Sequence, residues 1–146
     1  MKKNSSKNIA QPLGRILSHA GRNFLSMVNK NLEHLDIKRN FFALLLIEKE
    51  EGKMTQQELA DLMNSDKVSV VRIINYLSEK GYVKRRINRS DRRKYSILLT
   101  EKAKKDLPKI KETLNEVTKI AYHGINSARK SEFLETLNII RYNLTK

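Results

Sequence analysis

The sequence predicts a mainly α-helical fold with a small β-hairpin wing: a winged helix-turn-helix core flanked by N- and C-terminal dimerisation helices. Three observations predict this fold. Thr55 and Glu58 have the spacing of a capping box that starts a short helix. Asp66 then precedes a second helix with one apolar face and one polar, basic face. Two short strands finally flank a loop whose tip, residues 89–94, has four cations among six residues.

The chain is strongly basic, with 30 lysines and arginines against 16 acidic residues and a net charge of +14. A charge of this size favours a polyanionic partner, which can be nucleic acid, an anionic membrane surface or an acidic protein. The 146 residues suffice for one compact domain. The absence of cysteine excludes disulfides, thiolate zinc sites and a cysteine nucleophile. The absence of tryptophan argues against a stacking surface for single strands.

No segment of the sequence predicts insertion into a membrane. The longest fully apolar run is residues 41–47, whereas a spanning helix needs roughly 20 residues. Residues 1–8 are basic and are not followed by the hydrophobic core of a signal peptide. We therefore expect a cytoplasmic protein with no membrane partner. Residues 1–8 are expected to form a flexible arm that either touches phosphates or stays solvated.

Two helices are predicted in the first third of the chain. In the first, apolar residues recur in steps of four and three along one stripe, which is interrupted at Asn31 and resumes at Leu35. This stripe consists of Leu13, Leu17, Ala20, Phe24 and Met27. The second helix is predicted at residues 37–50 and is ended by Gly52. Its apolar run, residues 41–47, could also be a buried strand, but the charged flanks lack turn residues and favour a helix.

The central segment predicts the helix-turn-helix. The helix that starts at Thr55 is short, and residues 64–65 form the turn after it. Asp66 caps the next helix, which ends at Gly81. Each helix has an apolar face, formed by Leu59, Leu62 and Met63 in the first and by Val70, Ile73, Ile74 and Leu77 in the second.

A hairpin and two helices complete the chain. Residues 82–84 and 95–99 are predicted to be strands joined by a polar loop. Thr100 caps a long helix, residues 101–123, which Pro108 should bend rather than end because the periodicity continues through it. Gly124 closes this helix, and Asn126 caps the last one. Their apolar stripes are Ala103, Leu107, Ile110, Leu114, Val117 and Ala121 in the long helix and Phe133, Leu137, Ile140 and Leu144 in the last.

The amphipathic stripes at both ends of the chain exceed what one short domain can bury. A second copy would cover them, with the first and last helices of two subunits interleaved. We therefore expect residues 9–36 and 101–146 to form a helical dimerisation region. Residues 37–100 are expected to form the winged helix-turn-helix DNA-binding region.

Four motifs in order resemble the MarR family (multiple antibiotic resistance regulators). The helix-turn-helix is entered by MTQQELA at residues 54–60, and the second helix ends in LSEKGYV at residues 77–83. DRR at residues 91–93 and LTEK at residues 99–102 follow. Each motif alone is weak, but four at the right spacing are specific, and a weaker similarity covers residues 10–144. Met54 in place of leucine, and Ala103 where the family often has glycine, are small departures away from the DNA-reading residues.

The resemblance implies a homodimeric transcription factor, usually a repressor, that binds a pseudo-palindromic operator in double-stranded DNA. Many members of the family are released from DNA by small phenolic or other amphipathic ligands. These effectors enter a cleft between the dimer helices and the DNA-binding lobe.

The helix after Asp66 is expected to lie in the major groove with its N-terminal residues at the base edges. Arginine and lysine can pair with guanine, serine with either edge, and Val68 and Val71 with a thymine methyl group. The alternative is that this face is simply solvated, although two valines on it favour contact. The residues expected to contact DNA are Ser65, Lys67, Val68, Ser69, Val71, Arg72 and Asn75.

The wing is the second predicted DNA contact, because residues 84–94 hold seven cations and one acid. A narrow minor groove over A·T-rich DNA attracts arginine. By the family resemblance, Arg93 inserts into this groove and Asp91 orients it; alternatively, Asp91 only caps the turn. The wing residues expected to contact DNA are Arg86, Arg89, Asp91, Arg92, Arg93 and Lys94.

No pattern in the sequence predicts an enzyme, a metal site or a cofactor. His19, His34 and His123 lack the helical spacing of a zinc-binding pair. No nucleophile–base pattern or phosphate-binding glycine loop is present. Two alternatives to a sequence-specific regulator stay open. One is an architectural protein that coats DNA without sequence preference, and the other is a winged-helix module that binds an acidic protein.

Overall fold

The computed structural model describes residues 12–87, 91 and 95–146. Within these residues the helices are α1 (Leu13–Asn31), α2 (Phe41–Lys49), α3 (Gln56–Leu62), α4 (Lys67–Glu79), α5 (Glu101–Ala121) and α6 (Ser127–Leu144). The strands are β1 (Met54–Thr55), β2 (Val83–Ile87) and β3 (Tyr95–Leu99). This architecture confirms the predicted mainly α-helical fold with a small β wing. The predicted flexible arm, residues 1–8, lies outside the described residues.

The start of α2 is later than the sequence predicts, at Phe41 instead of residue 37. Lys38 has a φ of +50°, a left-handed conformation that does not continue a helix. Ile37 is nevertheless fully buried, which explains why the apolar pattern extends beyond the helix. Residues 41–47 are helical, so the alternative of a buried strand is wrong.

The wing belongs to a three-stranded sheet and not to a simple hairpin. β3 lies in the centre and is antiparallel to both β1 and β2. β1 was not predicted, because its two residues are too few to show an alternating pattern. Met54 of β1 pairs with Ile97 of β3, which attaches the start of α3 to the wing.

Thr55 is both the last residue of β1 and the N-cap of α3. Its Oγ1 accepts a hydrogen bond from the Glu58 N–H at 3.1 Å, and its own N–H donates to Glu58 Oε2 at 2.9 Å. These two bonds confirm the predicted capping box. They fix the first turn of α3 directly beside the sheet.

The turn between α3 and α4 depends on Asn64, which has a left-handed φ of +49°. The Asn64 N–H donates to the Asp61 carbonyl at 3.1 Å, and the Ser65 N–H donates to the Ala60 carbonyl at 3.0 Å. This pair of bonds closes the C-terminus of α3. α4 ends at Glu79, two residues before Gly81, the glycine predicted to end it, which has a left-handed φ of +80°.

The core lies where α2, α3, α4 and the sheet meet, and α5 with the end of α1 closes it. Three residues of the predicted apolar face of α4 are fully buried: Val70, Ile74 and Leu77. The prediction for Leu62 is wrong, since 54% of its surface is exposed. α3 ends at this residue, and the core lies over Leu59 and Ala60 instead.

The last two helices differ in what they add to this core, because α5 has five buried residues. α5 runs unbroken through Pro108, as predicted, and ends at Ala121. α6 contributes no buried residue. Within the described part of the chain, no helix combines the length and the hydropathy needed to cross a membrane.

Ile97→Ala is expected to lower the free energy of unfolding by about 2–5 kcal/mol, the range for large-to-small core substitutions. Ile97 is fully buried and pairs with both neighbouring strands. Ile87→Ala is the matched control, because Ile87 is 57% exposed in the same sheet; its cost should stay within roughly 0.5 kcal/mol. Chemical denaturation at one protein concentration measures both variants. Equal losses would contradict the central position of Ile97.

Candidate nucleic-acid interface

The N-terminus of α4 carries a side-chain cap. Asp66 accepts a hydrogen bond from the Ser69 hydroxyl at 2.6 Å and another from the Ser69 N–H at 2.8 Å. These bonds hold the pKa of the Asp66 carboxyl below its usual value. The carboxylate therefore stays charged at the positive end of the helix dipole, which it complements. The predicted N-cap is confirmed, and the Ser69 hydroxyl donates its proton to the Asp66 carboxylate.

The side of α4 opposite the core is open to solvent. Val68 is 62% exposed, which gives this basic surface an apolar contact point. Of the seven residues predicted to contact DNA here, Ser65 lies in the turn before α4 and the other six lie in α4; none of the seven is buried. Lys67, Val68, Arg72 and Asn75 are exposed, and Ser65, Ser69 and Val71 are half-buried.

Arg85 of β2 joins α3, α4 and the wing. Its Nε–H donates to Gln56 Oε1 at 3.0 Å, and its Nη2 donates to Asn75 Oδ1 at 2.6 Å. The charge count of residues 84–94 includes Arg85 but does not reveal this bridge. Strand alternation could have revealed it, because Arg85 follows buried Val83 by two residues and so lies on the same side of the sheet.

The outer side of the wing is basic. Lys84 and Arg86 of β2 are exposed, on the side of the sheet opposite Arg85. Asp91 is half-buried. Of the predicted wing contacts, the structure thus places Arg86 and Asp91. Outside the described residues lie Arg89, Arg92, Arg93 and Lys94.

The C-terminal half of α4 contacts the segment that follows α1. The Tyr76 hydroxyl donates to Asp36 Oδ1 at 2.8 Å, and Lys80 Nζ lies 3.2 Å from Asp36 Oδ2. The hydrogen bond from Tyr76 and then that from Lys80 hold the pKa of Asp36 below its usual value. Lys38 Nζ lies 4.4 Å from the centre of the Tyr76 ring, in a cation–π position. Because this cluster is exposed, it adds little stability, but it connects the end of α1 to α4.

An apolar groove of about 680 Å³ lies between α1, α5 and α6. Its walls include Phe24 and Met27 of α1, Ile120 of α5 and Phe133 of α6. Because Phe133 is 50% exposed and Ile120 is 59% exposed, this groove is an open apolar surface of the single chain.

A polar cavity of about 560 Å³ lies at the C-terminal end of α1, beside residues 35–39. Lys30, Lys38 and Arg39 line it together with Asp36. Asn29 also lines it, and its buried Oδ1 accepts no hydrogen bond from the described residues. The cavity is therefore lined by three basic residues, Lys30, Lys38 and Arg39, and by the acidic Glu33 and Asp36.

The histidines show no arrangement for metal binding in the part of the chain that is described. Within residues 12–87, 91 and 95–146, no three histidine or acidic side chains are grouped so that they could hold a metal ion. His19, His34 and His123 are all exposed.

Known proteins are similar to this chain in sequence and in fold. Residues 39–94 match the family model described as MarR family. A MarR transcriptional regulator from Methanosarcina mazei Go1 is 30% identical over 89% of this chain and 94% of that chain, with a TM-score of 0.82. The transcriptional regulator SlyA is 24% identical over 92% of this chain and 94% of that chain, with a TM-score of 0.86. A MarR protein from Peptoclostridium difficile is 21% identical over 94% of this chain and 90% of that chain, with a TM-score of 0.84.

These similarities extend over nearly the whole chain, including the helices at both ends. The two matches with less than 25% sequence identity support only the fold. The 30% identity over most of both chains relates the sequences as well. The family model independently covers the helix-turn-helix and part of the wing. The resemblance seen in the four motifs is therefore confirmed, and the chain belongs to the MarR family.

Proposed function

We propose that this protein is a sequence-specific transcriptional regulator that binds double-stranded DNA as a homodimer and represses through a pseudo-palindromic operator. The observation that carries the proposal is the exposed N-terminal face of α4, where Lys67, Val68 and Arg72 lie opposite a fully buried face. β2 carries Lys84, Arg85 and Arg86, and it contacts α4 through Arg85. A regulator of this kind would work on DNA in the cytoplasm.

The exposed face of α4 offers three kinds of contact to a major groove. Arg72 and Lys67 can donate to guanine O6 and N7, and Val68 can pack against a thymine methyl group. Ser69 donates its hydroxyl proton to Asp66, so its oxygen is left to accept from an adenine or cytosine amino group. Contacts from the N-terminal end of a helix are those with which a recognition helix reads bases.

The wing would bind the adjacent minor groove. Arg93 would insert between the phosphate chains, and Asp91 would orient it, as the family resemblance implies. Support comes from the exposure of Arg86 and from the seven cations of residues 84–94. A narrow minor groove stabilises an inserted arginine through its negative potential. Phosphate contacts are assigned to Arg86, Arg89, Arg92 and Lys94, which makes the affinity steeply salt-dependent.

A second copy of the chain is the partner that best accounts for the apolar surface at the chain ends. α6 has no buried residue in the single chain, and the groove between α1, α5 and α6 is open. Residues 9–36 and 101–146 would form the dimerisation region, and residues 37–100 the DNA-binding region. A two-fold dimer places two copies of α4 on two half-sites, so the operator should be pseudo-palindromic.

A small amphipathic or phenolic effector would bind in the polar cavity at the end of α1. Lys30, Lys38 and Arg39 supply positive charge for an acidic or phenolate group. Asp36 lines the same cavity and accepts a hydrogen bond from Tyr76 of α4. Ligand binding there therefore has a direct connection to the DNA-reading helix.

Phe133→Lys is expected to weaken the dimer at least tenfold, because it puts a charge into the apolar groove between α1, α5 and α6 and a buried unpaired charge is costly. Leu62→Lys is the matched control: Leu62 is 54% exposed, but it lies in α3, outside the proposed dimer surface. Sedimentation velocity over a dilution series measures both. A Phe133→Lys protein that stays as dimeric as the control would contradict the proposed interface.

Arg72→Ala is expected to weaken binding to a duplex selected by the wild-type protein from a random library by about 1–3 kcal/mol, with less effect on a shuffled duplex. Lys49→Ala in α2 is the control and should change neither affinity, because Lys49 is exposed and no contact with DNA is assigned to it. Fluorescence anisotropy measures both duplexes. Equal weakening would reduce Arg72 to a phosphate contact. Equal wild-type affinities would favour an architectural protein, and no DNA binding at about 0.15 M salt would favour an acidic protein partner.

Arg93→Ala is expected to lower DNA affinity on both duplexes while the dimer survives, because the wing contacts DNA and lies outside the proposed dimerisation region. The measurement pairs anisotropy with sedimentation velocity on the same preparation. Monomeric Arg93→Ala protein would be inconsistent with the assignment of Arg93 to the wing.

A further inference from the structure

We propose that Arg85 is a positioning residue that sets the sequence preference of α4 through Asn75, without contacting DNA itself. The inference rests on the proposed function, since it assigns a role in sequence reading to a residue of the same interface. The observation that carries it is the pair of hydrogen bonds from one guanidinium to two elements, α3 and α4.

The guanidinium of Arg85 makes its hydrogen bonds to other side chains of the protein. Its Nε–H donates to Gln56 Oε1 at 3.0 Å, and its Nη2 donates to Asn75 Oδ1 at 2.6 Å. Both are bonds from a charged donor, which are shorter and stronger than bonds between neutral groups. Arg85 is half-buried, whereas Arg86, the next residue, is exposed. Adjacent arginines therefore have different tasks: Arg85 holds side chains in place, and Arg86 is available to phosphates.

The fork of the guanidinium is what makes this bridge possible. Arginine presents several N–H donors in a fixed plane, so it can hold acceptors from two helices at once. A lysine ammonium is a compact point charge and does not reproduce this planar geometry. Arg85→Lys therefore keeps the charge of the wing but removes the simultaneous hold on Gln56 and Asn75.

The consequence for Asn75 is a fixed orientation of its amide. Its oxygen faces Arg85, so the amide nitrogen is the part directed to other partners. An asparagine reads adenine by accepting from N6 and donating to N7 at the same time. With the oxygen held by Arg85, Asn75 acts mainly as a donor, which suits guanine O6 or N7 and thymine O4. Arg85 thereby restricts which bases Asn75 can contact.

The experiment is a double-mutant cycle on DNA discrimination. The full-length wild type, Arg85→Lys, Asn75→Ala and the double variant are titrated onto a duplex selected by the wild type and onto its shuffled version. The discrimination ratio is the shuffled Kd divided by the selected Kd. Arg86→Lys is the matched control, because it makes the same change at the exposed neighbour. Thermal unfolding checks that every variant is folded.

The expected result is a loss of about tenfold in the discrimination ratio for Arg85→Lys and a similar loss for Asn75→Ala. The double variant should lose no more than Asn75→Ala alone, because residues that act as one unit have non-additive effects. The Kd for the shuffled duplex and its salt dependence should stay at wild-type values in Arg85→Lys. Arg86→Lys should leave the discrimination ratio unchanged, because a phosphate contact changes the Kd values of both duplexes by the same factor.

Three outcomes would overturn the proposal, and they separate it from the proposed function. A wild-type discrimination ratio near one would contradict sequence-specific binding itself. A high wild-type ratio that Arg85→Lys leaves intact would contradict only the role of Arg85. Independent losses that multiply in the double variant would show that Arg85 acts apart from Asn75, as a direct contact would. Should Arg85→Lys fail to fold, Gln56→Ala, which removes one end of the bridge, replaces it in the same cycle.

Discussion

The burial of one face of α4 is the constraint on which the rest of the structure depends. Three of its side chains are fully buried: Val70, Ile74 and Leu77. Rotation of the helix about its axis would expose them to water, at a cost of about 1.5–3 kcal/mol for each aliphatic side chain. Core packing therefore determines which residues face outward. The cap at Asp66 and the bridge from Arg85 then fix the first turn of the helix and its position beside the wing.

In residues 12–87 and 95–146, some basic side chains join elements of the fold and others face solvent. Lys80 pairs with Asp36, and Lys111 Nζ lies 2.8 Å from Glu48 Oε1, so each links two parts of the fold. Arg85 does the same with neutral amides. The exposed cations around α4 and β2 make up the surface proposed to meet DNA. Under the proposed function, the cations behind the net charge of +14 would both attract a polyanion and hold α4 in place against it.

Local patterns predicted most of the fold, because caps and helical periodicity are properties of neighbouring residues. The capping box at Thr55, the cap at Asp66 and the buried face of α4 are confirmed. β1 was not predicted because two residues are too few to show an alternating pattern. The predicted start of α2 was wrong because Lys38 adopts a left-handed conformation. The Arg85 bridge joins residues 10 and 29 positions apart, which no local pattern reports. The DNA contacts of α4 and the wing stay predictions.

Sequence reading by α4 is the central claim, and fluorescence anisotropy of the wild-type protein on two labelled duplexes tests it most directly. One duplex carries the DNA immediately upstream of the reading frame of this protein, and the other is its shuffled version, both at about 0.15 M salt. The predicted result is a preference of about 10³-fold for the upstream duplex, the lower end of the range for specific binders. Equal affinity for the two DNAs, combined with no preferred duplex from selection in a random library, would contradict sequence reading by α4.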